Sequence, residues 1–264
     1  MKRLDMHVHA MLARQLPLDR GHLARLLTWA RRSGLDGIAL TEHFHAAGFW
    51  EAHDLLATWF PCRHGVYLVA EDFRVVAGAE LSLREGGHIL LLGDLDSMHR
   101  LDVAFSRPLS EGFRPAFRQL LEQAEELDLL MIGAHVFRRG KDLQRLPESL
   151  LARLTALEVN GKDSESGIDR VATAARELGL AVVGGSDAHH WIQVGARHSL
   201  FPIPDITLAE MRRALASRAT WHAALPFARL RVRAAKQARR WLKRVGGRGI
   251  PVSPPPRPAA APSR

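Results

Sequence analysis

The chain has 264 residues, 47% of them hydrophobic, which is enough for one large domain or two small ones and excludes a disordered chain. Its one cysteine, Cys62, excludes an intrachain disulfide and fits a reducing compartment. The formal charge of +9 belongs to the end of the chain. Residues 226–264 hold eleven of the 37 Lys and Arg and no Asp or Glu, leaving 26 basic against 28 acidic residues, a net of −2, in 1–225. The main domain is therefore near neutral, and its charge gives no reason to expect nucleic acid there.

Apolar runs alternate with helical patterns along the chain. Arg3 to Val8 reads as a strand, and Leu18 to Ser33 as a helix with Leu23, Leu26, Leu27 and Ala30 on one side, ended by Gly34. Asp36 to Thr41 is the next strand. Val75 to Leu83 and His88 to Leu92 read as strands around a Gly86-Gly87 turn. Phe113 to Leu127 is helical, Leu129 to Ala134 and Leu154 to Val159 are strands, and Ser166 to Leu178 is a helix. Leu180 to Gly184 is a strand and Thr207 to Ser217 a helix. This alternation predicts an α/β protein with a parallel sheet, closed or open.

Metal-ligand chemistry recurs at the strand ends. Asp5, His7 and His9 alternate along the first strand, so all three can face one side. His43 and His45 follow the second strand, Glu80 lies in "GAELS", His88 opens a strand, His135 follows "MIGA", and Asp187 and His189 follow "VVGG". In parallel barrels reactive side chains gather at the C-terminal strand ends. Imidazole and carboxylate together suit zinc, manganese or iron. His22, His53, His64, His99, His198 and His222 lack this placement and read as structural or surface residues. His190 should point away from His189, and the role of His45 stays open.

In this order, "DMHVHA", "TEHF", "GAELS", "GHILLLGD", "GAHVF", "EVNG" and "GGSDAHH" resemble the motifs of the PHP (polymerase and histidinol phosphatase) family over residues 1 to about 200. The resemblance implies a distorted seven-stranded (β/α) TIM-like barrel, two or three divalent metal ions and phosphoester hydrolysis. Carried over by motif, His7, His9, Glu80 and Asp187 would hold one metal. Glu80 would bridge to a second with His88 and His135, and His43 and His189 would serve a third. Two departures stand out. The loop after His9, "AMLARQLPLD", lacks the further His or Asp common in the family, Asp19 and His22 coming late, so two tightly held metals are expected. Glu42 stands where Asp is commoner and is read as orienting a ligand.

A metal-dependent phosphoric ester hydrolase acting on a phosphorylated small molecule or an oligonucleotide is therefore expected. Asp187 and His189 are its catalytic candidates. Arg138, Arg139 and Arg197 are candidates to grip phosphate, with Lys141 a further one and Lys162 weaker. An amidohydrolase also uses His-x-His on a first barrel strand, but often needs a bridging lysine where this chain has Glu80. A non-catalytic metal-bound module is the third reading.

The barrel is expected over residues 1–225, a basic amphipathic helix over 226–245 and a disordered Pro/Ala tail over 246–264. Phe227, Leu230, Ala234, Ala238, Trp241 and Val245 form one stripe of that helix. Either the stripe packs on the barrel, or the helix attaches the protein to an anionic membrane or nucleic acid, separately from catalysis. The sequence shows no signal peptide and no bilayer-spanning run, so a cytoplasmic protein is expected, membrane-peripheral if the basic helix attaches it.

Overall fold

The computed structural model describes residues 1–140 and 143–244. Lys141 and the expected Pro/Ala tail lie outside them. The chain runs through β1 (Lys2–Val8), α1 (Arg20–Arg32), β2 (Gly37–His43), α2 (Phe49–Trp59), β3 (Cys62–Arg63), β4 (Val66–Ala70), β5 (Phe73–Ser82) and β6 (His88–Leu92). Next come α3 (Leu95–Val103), α4 (Phe117–Glu126), β7 (Leu130–Ala134), α5 (Glu148–Leu151), β8 (Ala156–Asn160), α6 (Glu165–Leu178) and β9 (Ala181–Gly185). The described part ends with β10 (His198–Phe201), α7 (Leu208–Ala216), β11 (Trp221–Ala223) and α8 (Ala228–Arg244).

Seven strands form the wall in the order β1-β2-β5-β6-β7-β8-β9. A parallel bridge from Val8 to Ala188, just past β9, brings the two ends of that row together. Around this bridge His9 N donates to Ala188 O at 2.8 Å and Ala188 N to His7 O at 3.2 Å. Farther down β1, β10 pairs antiparallel with Lys2 to Leu4 and carries β11 outside it. The result is the expected distorted seven-stranded barrel, nearly closed.

One strand breaks the parallel rule in a useful way. β6 is antiparallel to both β5 and β7, pairing Ser82 with His88 and His88 with Ala134. Its first residue therefore lies level with the last residues of its neighbours, which sets His88 at the same rim as Glu80 and His135. The hairpin turn between β5 and β6 uses Gly86 and Gly87 at φ 96° and 85°, values that glycine adopts without a Cβ clash.

The element boundaries moved for local reasons. α1 starts at Arg20 because the Asp19 side chain caps it, accepting from His22 N. α4 starts at Phe117, past Pro115, whose ring disfavours helix at the residue before it. β2 runs two residues beyond Thr41, so His43 lies on the strand, opposite Glu80. Helices α2 and α3 pack apolar faces on the sheet: Phe49, Ala52, Leu55 and Leu56 from one, Met98 and Leu101 from the other.

Candidate metal centre

The site lies at the barrel rim, around the buried carboxylate of Glu80. Its Oε1 meets His88 Nδ1 and lies 3.0 Å from His135 Nε2. Its Oε2 lies 2.9 Å from His43 Nδ1, 3.5 Å from His9 Nε2 and 3.6 Å from His7 Nε2. The His43 contact is not aligned as a hydrogen bond. His7 Nε2 and His9 Nε2 face each other at 3.2 Å.

Asp187 stands on the other side of His9. Its Oδ1 is 3.4 Å from His9 Nε2 and 3.5 Å from His189 Nδ1. Its Oδ2 takes two cations, Lys162 Nζ at 2.7 Å and Arg138 Nη1 at 2.8 Å. The His189 ring stacks on His9 with centroids 3.9 Å apart. Both His135 (φ 33°) and Asp187 (φ 51°) adopt the left-handed region, unusual for residues with a Cβ and a form of strain that gathers at functional sites.

The glycines before Asp187 have a steric reason. A Cβ on Gly185 would come within 2.3 Å of Glu158 Oε1 and 2.6 Å of His7 Cβ. A Cβ on Gly184 would come within 2.5 Å of His198 O. Strand β9 must approach β1 and β8 this closely for Asp187 to meet the histidines.

Behind the ligand candidates lies a layer of buried carboxylates. Glu158 Oε1 is 2.9 Å from His7 Nδ1 and accepts from Asn160 Nδ2 at 2.9 Å, while Oε2 accepts from His135 N at 2.8 Å. Glu42 Oε1 is 3.3 Å from His9 Nδ1 and accepts from His43 N, and Oε2 accepts from Met11 N. Burial pushes Glu80 up, but His88 and His7 outweigh it and hold this carboxylate well below its usual range. Burial likewise pushes Asp187 up, and Lys162 and His9 hold it well below. For His7 burial pushes down, and Glu158 and Glu80 beside it carry the imidazole well above its ordinary value. Burial, with His9 adjacent, leaves His189 well below, as a neutral imidazole.

Among the described residues, three sets of donor atoms each fall within 4.8 Å of one another: His7, His9 and Asp187; Glu80, His88 and His135; and His9, His43 and His189. These eight residues are the ones anticipated as ligands. Asp5 is not among them: it accepts from Ser186 N, Gly195 N and His7 N, and a register shift in β1 between Asp5 and Val8 breaks the simple alternation. Asp19 is spent as a helix cap. His22 faces His190, whose side chain accepts from Ile192 N, and His45 Nε2 is 3.3 Å from Arg14 Nη1.

The expected phosphate-gripping residues divide. Arg138 enters the site, also donating to Asn160 Oδ1 at 3.0 Å. Arg139 is exposed on its loop, and Arg197 lies 3.3 Å from His222 Nδ1 of β11. Lys162, rated weakest by the sequence, reaches both the carboxylate and the carbonyl of Asp187. Sequence reasoning missed Glu158, Asn160 and Gln193, which donates to Ser186 O and Asp187 O at 2.6 and 3.0 Å. The quoted "EVNG" held the signal for the first two: Glu and Asn flanking a valine at the end of a buried strand.

Of the two placements open for α8, its apolar stripe does not pack on the barrel. Phe227, Leu230 and Trp241 are 79%, 63% and 60% exposed, whereas Ala235, on another face, is buried. The helix rests on the Trp191–Gln193 turn through its basic face. Arg231 donates to Ile192 O at 2.9 Å and Val194 O at 3.1 Å, and Arg239 donates to Leu12 O in the loop after His9. These guanidiniums reach carbonyls that an apolar stripe would leave unpaired.

The donor set fits divalent metal ions. Five imidazoles converge on one carboxylate, His7 and His9 turn nitrogens toward each other, and the carboxylates behind fix the outer nitrogens of both rings. A divalent cation would take the facing Nε2 atoms of His7 and His9 as ligands in place of their mutual contact.

Residues 168–220 match the PHP-associated family model. No curated protein matches the sequence. Among solved structures, PsfC from Pseudomonas syringae superposes with a TM-score of 0.75 at 26% identity, over 91% of this chain and 98% of its own. The lesion-specific endonuclease PfuEndoQ from Pyrococcus furiosus gives 0.64 at 20% identity, over 82% of this chain and 56% of its own length. A two-domain Bacteroides vulgatus protein containing a predicted PHP-like metal-dependent phosphoesterase gives 0.60 at 18%, over 85% and 65%.

Proposed function

We propose that the chain is a PHP-family protein and a metal-dependent phosphoesterase, a reading that its matched segment and barrel relatives support. The observation that carries this reading is Glu80, whose two oxygens face different histidine sets within one buried pocket. His7, His9 and Asp187 would hold one ion, Glu80, His88 and His135 a second, and His43 and His189 with His9 a weaker third. Two or three divalent ions, zinc, manganese or iron, would supply the Lewis acidity that ionises water near neutral pH and draws charge from phosphoryl oxygens.

The chain's own groups do the rest. Glu158 and Glu42 hold the outer nitrogens of His7 and His9, so both Nε2 atoms face the pocket. Arg138 and Lys162, each about one-third exposed, fix Asp187 Oδ2 and line the mouth with positive charge that favours a phosphate. In hydrolysis the water oxygen joins phosphorus, the ester P–O bond breaks, and the water's proton ends on the leaving oxygen. Asp187, held ionised, and neutral His189 are the proton-handling pair of this proposal.

The substrate is a phosphorylated small molecule or an oligonucleotide. A solved endonuclease Q complex with a 27-mer duplex, carrying an abasic lesion at its active site, shares the barrel at 20% identity. No helix among the described residues is long and apolar enough to cross a membrane. In this reading the protein is cytoplasmic, with the solvent-facing side of α8 as its contact with an anionic membrane. The test is metal analysis followed by assay of phosphomonoesters, phosphodiesters and oligonucleotides against amides and lactones. Phosphoester turnover that chelation abolishes is expected. Amide or lactone turnover alone would assign an amidohydrolase, and no turnover at all would leave a metal-bound module.

A further inference from the structure

The docking of α8 creates a cleft of about 730 Å³ beside the metal centre, lined by Lys162, Gln193, Arg229, Arg233, Lys236 and Arg239 among others. Two of its walls touch the centre directly. Lys162 Nζ is 2.7 Å from Asp187 Oδ2, and Gln193 Nε2 donates to the Asp187 carbonyl. The cleft thus adjoins the place where a scissile phosphate would sit. Five of its lining residues are cationic, and Asp163 is the one carboxylate.

The cations differ in how they are engaged. Lys162 is committed to Asp187, Arg239 is held by Leu12 O, and Arg229 reaches the exposed Glu165 at 2.7 Å. Among the described residues, Arg233 and Lys236 have no carboxylate partner. They lie one turn apart on α8, on the side turned toward the cleft. Helix α6 also begins here, at its cap Ser164, and its N-terminal end adds partial positive charge. A phosphate held only at the metal centre would leave Arg233 and Lys236 unused.

We infer that this cleft binds a second anionic group of the substrate, so that the substrate is a small molecule carrying two anionic groups, one at the metal centre and one between Arg233 and Lys236. The inference rests on the phosphoesterase reading for the first group. A small molecule is favoured over a nucleic acid because residues 1–225 carry a net charge of −2, so the excess positive charge is confined to α8 and the residues after it rather than spread over the barrel. It also gives α8 a role at the site, where the sequence suggested an attachment device apart from catalysis.

The test uses the full-length, metal-loaded protein and calorimetric binding of n-butyl phosphate against the bisphosphates of 1,3-propanediol, 1,4-butanediol and 1,6-hexanediol. The flexible chains let the second phosphate find its own distance. At least one bisphosphate is expected to bind about tenfold or more tighter than the monophosphate. Arg233→Ala/Lys236→Ala should bring that ratio to about three or less. Arg32→Ala/Arg240→Ala, which removes the same charge from exposed positions outside the cleft, should keep it. The inference is overturned if the wild type shows no preference, if the preference survives in the cleft variant, or if the control variant loses it equally. It is also overturned if those two residues matter only for binding a single-stranded DNA 8-mer. Absence of hydrolysis with an intact bisphosphate preference would sink the phosphoesterase reading and leave the cleft assignment standing.

Discussion

Glu158 stands behind His7: its Oε1 lies 2.9 Å from His7 Nδ1, and both side chains are fully buried. The contact fixes which nitrogen of the ring faces the pocket and raises its basicity as a donor. Glu158→Gln keeps the shape but removes the charge. We expect metal affinity to fall about 10–100-fold with the circular dichroism spectrum unchanged. Unaltered affinity in a competition titration against a chelator would remove Glu158 from the site.

Glu80 makes a sharper case, because its two oxygens serve different histidine sets. Glu80→Gln should strip metal and cut turnover by more than about 100-fold while the barrel survives. Metal content by mass spectrometry and a melting curve check the two halves separately. Full occupancy together with full turnover would refute the bridging role.

The residues that meet at the candidate site were legible because strand ends leave a local mark: an apolar run, a small residue, then a His or a carboxylate. Glu158 carried a similar mark in "EVNG", but its place behind His7 did not show in it. It sits inside a buried strand, and only pairing of β8 with β9 sets it beside Gly185 and His7. The direction of β6 was likewise hidden, since a hairpin and a crossover give strands of the same composition. For α8 the sequence left two placements open, for a different reason. Helix patterning assumes that the apolar face docks, whereas here arginine side chains meet backbone carbonyls at a turn that no sequence period predicts.

Metal number follows from the loop after His9. Its Leu12 carbonyl receives Arg239, and the His9, His43 and His189 set gains no carboxylate from that loop. Arg239 also puts positive charge near His189, which opposes another cation. Two tightly bound metals per chain and a third lost on dialysis are expected. Three retained equivalents, with anomalous peaks at all three sets, would contradict this.

His53 links the core to pH. It is buried in α2, 3.2 Å from the Tyr67 hydroxyl, and burial pushes its pKa down to about 4. The folded state therefore keeps His53 neutral where the unfolded chain takes up a proton. Its contribution is fully present above about pH 6.5 and is lost as pH falls toward 4, amounting to at most about 3 kcal/mol. Urea midpoints between about pH 7.5 and 4.5 should fall less steeply for His53→Gln than for the wild type. Parallel curves would show that the imidazole does not set this dependence.

The solvent-facing side of α8 yields the last prediction. Leu230 and Trp241 lie exposed on α8, Phe227 lies exposed just before it, and Arg240 is exposed on another face outside the cleft. Such a surface suits the interface of an anionic membrane, where each Lys or Arg contributes about 1 kcal/mol and the aromatic rings add buried apolar area. The full-length protein should co-sediment with phosphatidylserine vesicles at low salt and be released at about 0.5 M salt. Phe227→Asp/Trp241→Asp should weaken this about tenfold or more. It leaves the barrel intact, because neither ring is buried and Asp tolerates the φ of 59° at position 227. Truncation after Leu225 should remove vesicle binding as well, but it also removes Arg233 and Lys236 from the cleft, so only the Asp variant tests the membrane contact alone. Vesicle binding that survives in the Asp variant would mean that charge acts without the apolar face. No binding by the wild type at low salt would end the membrane proposal.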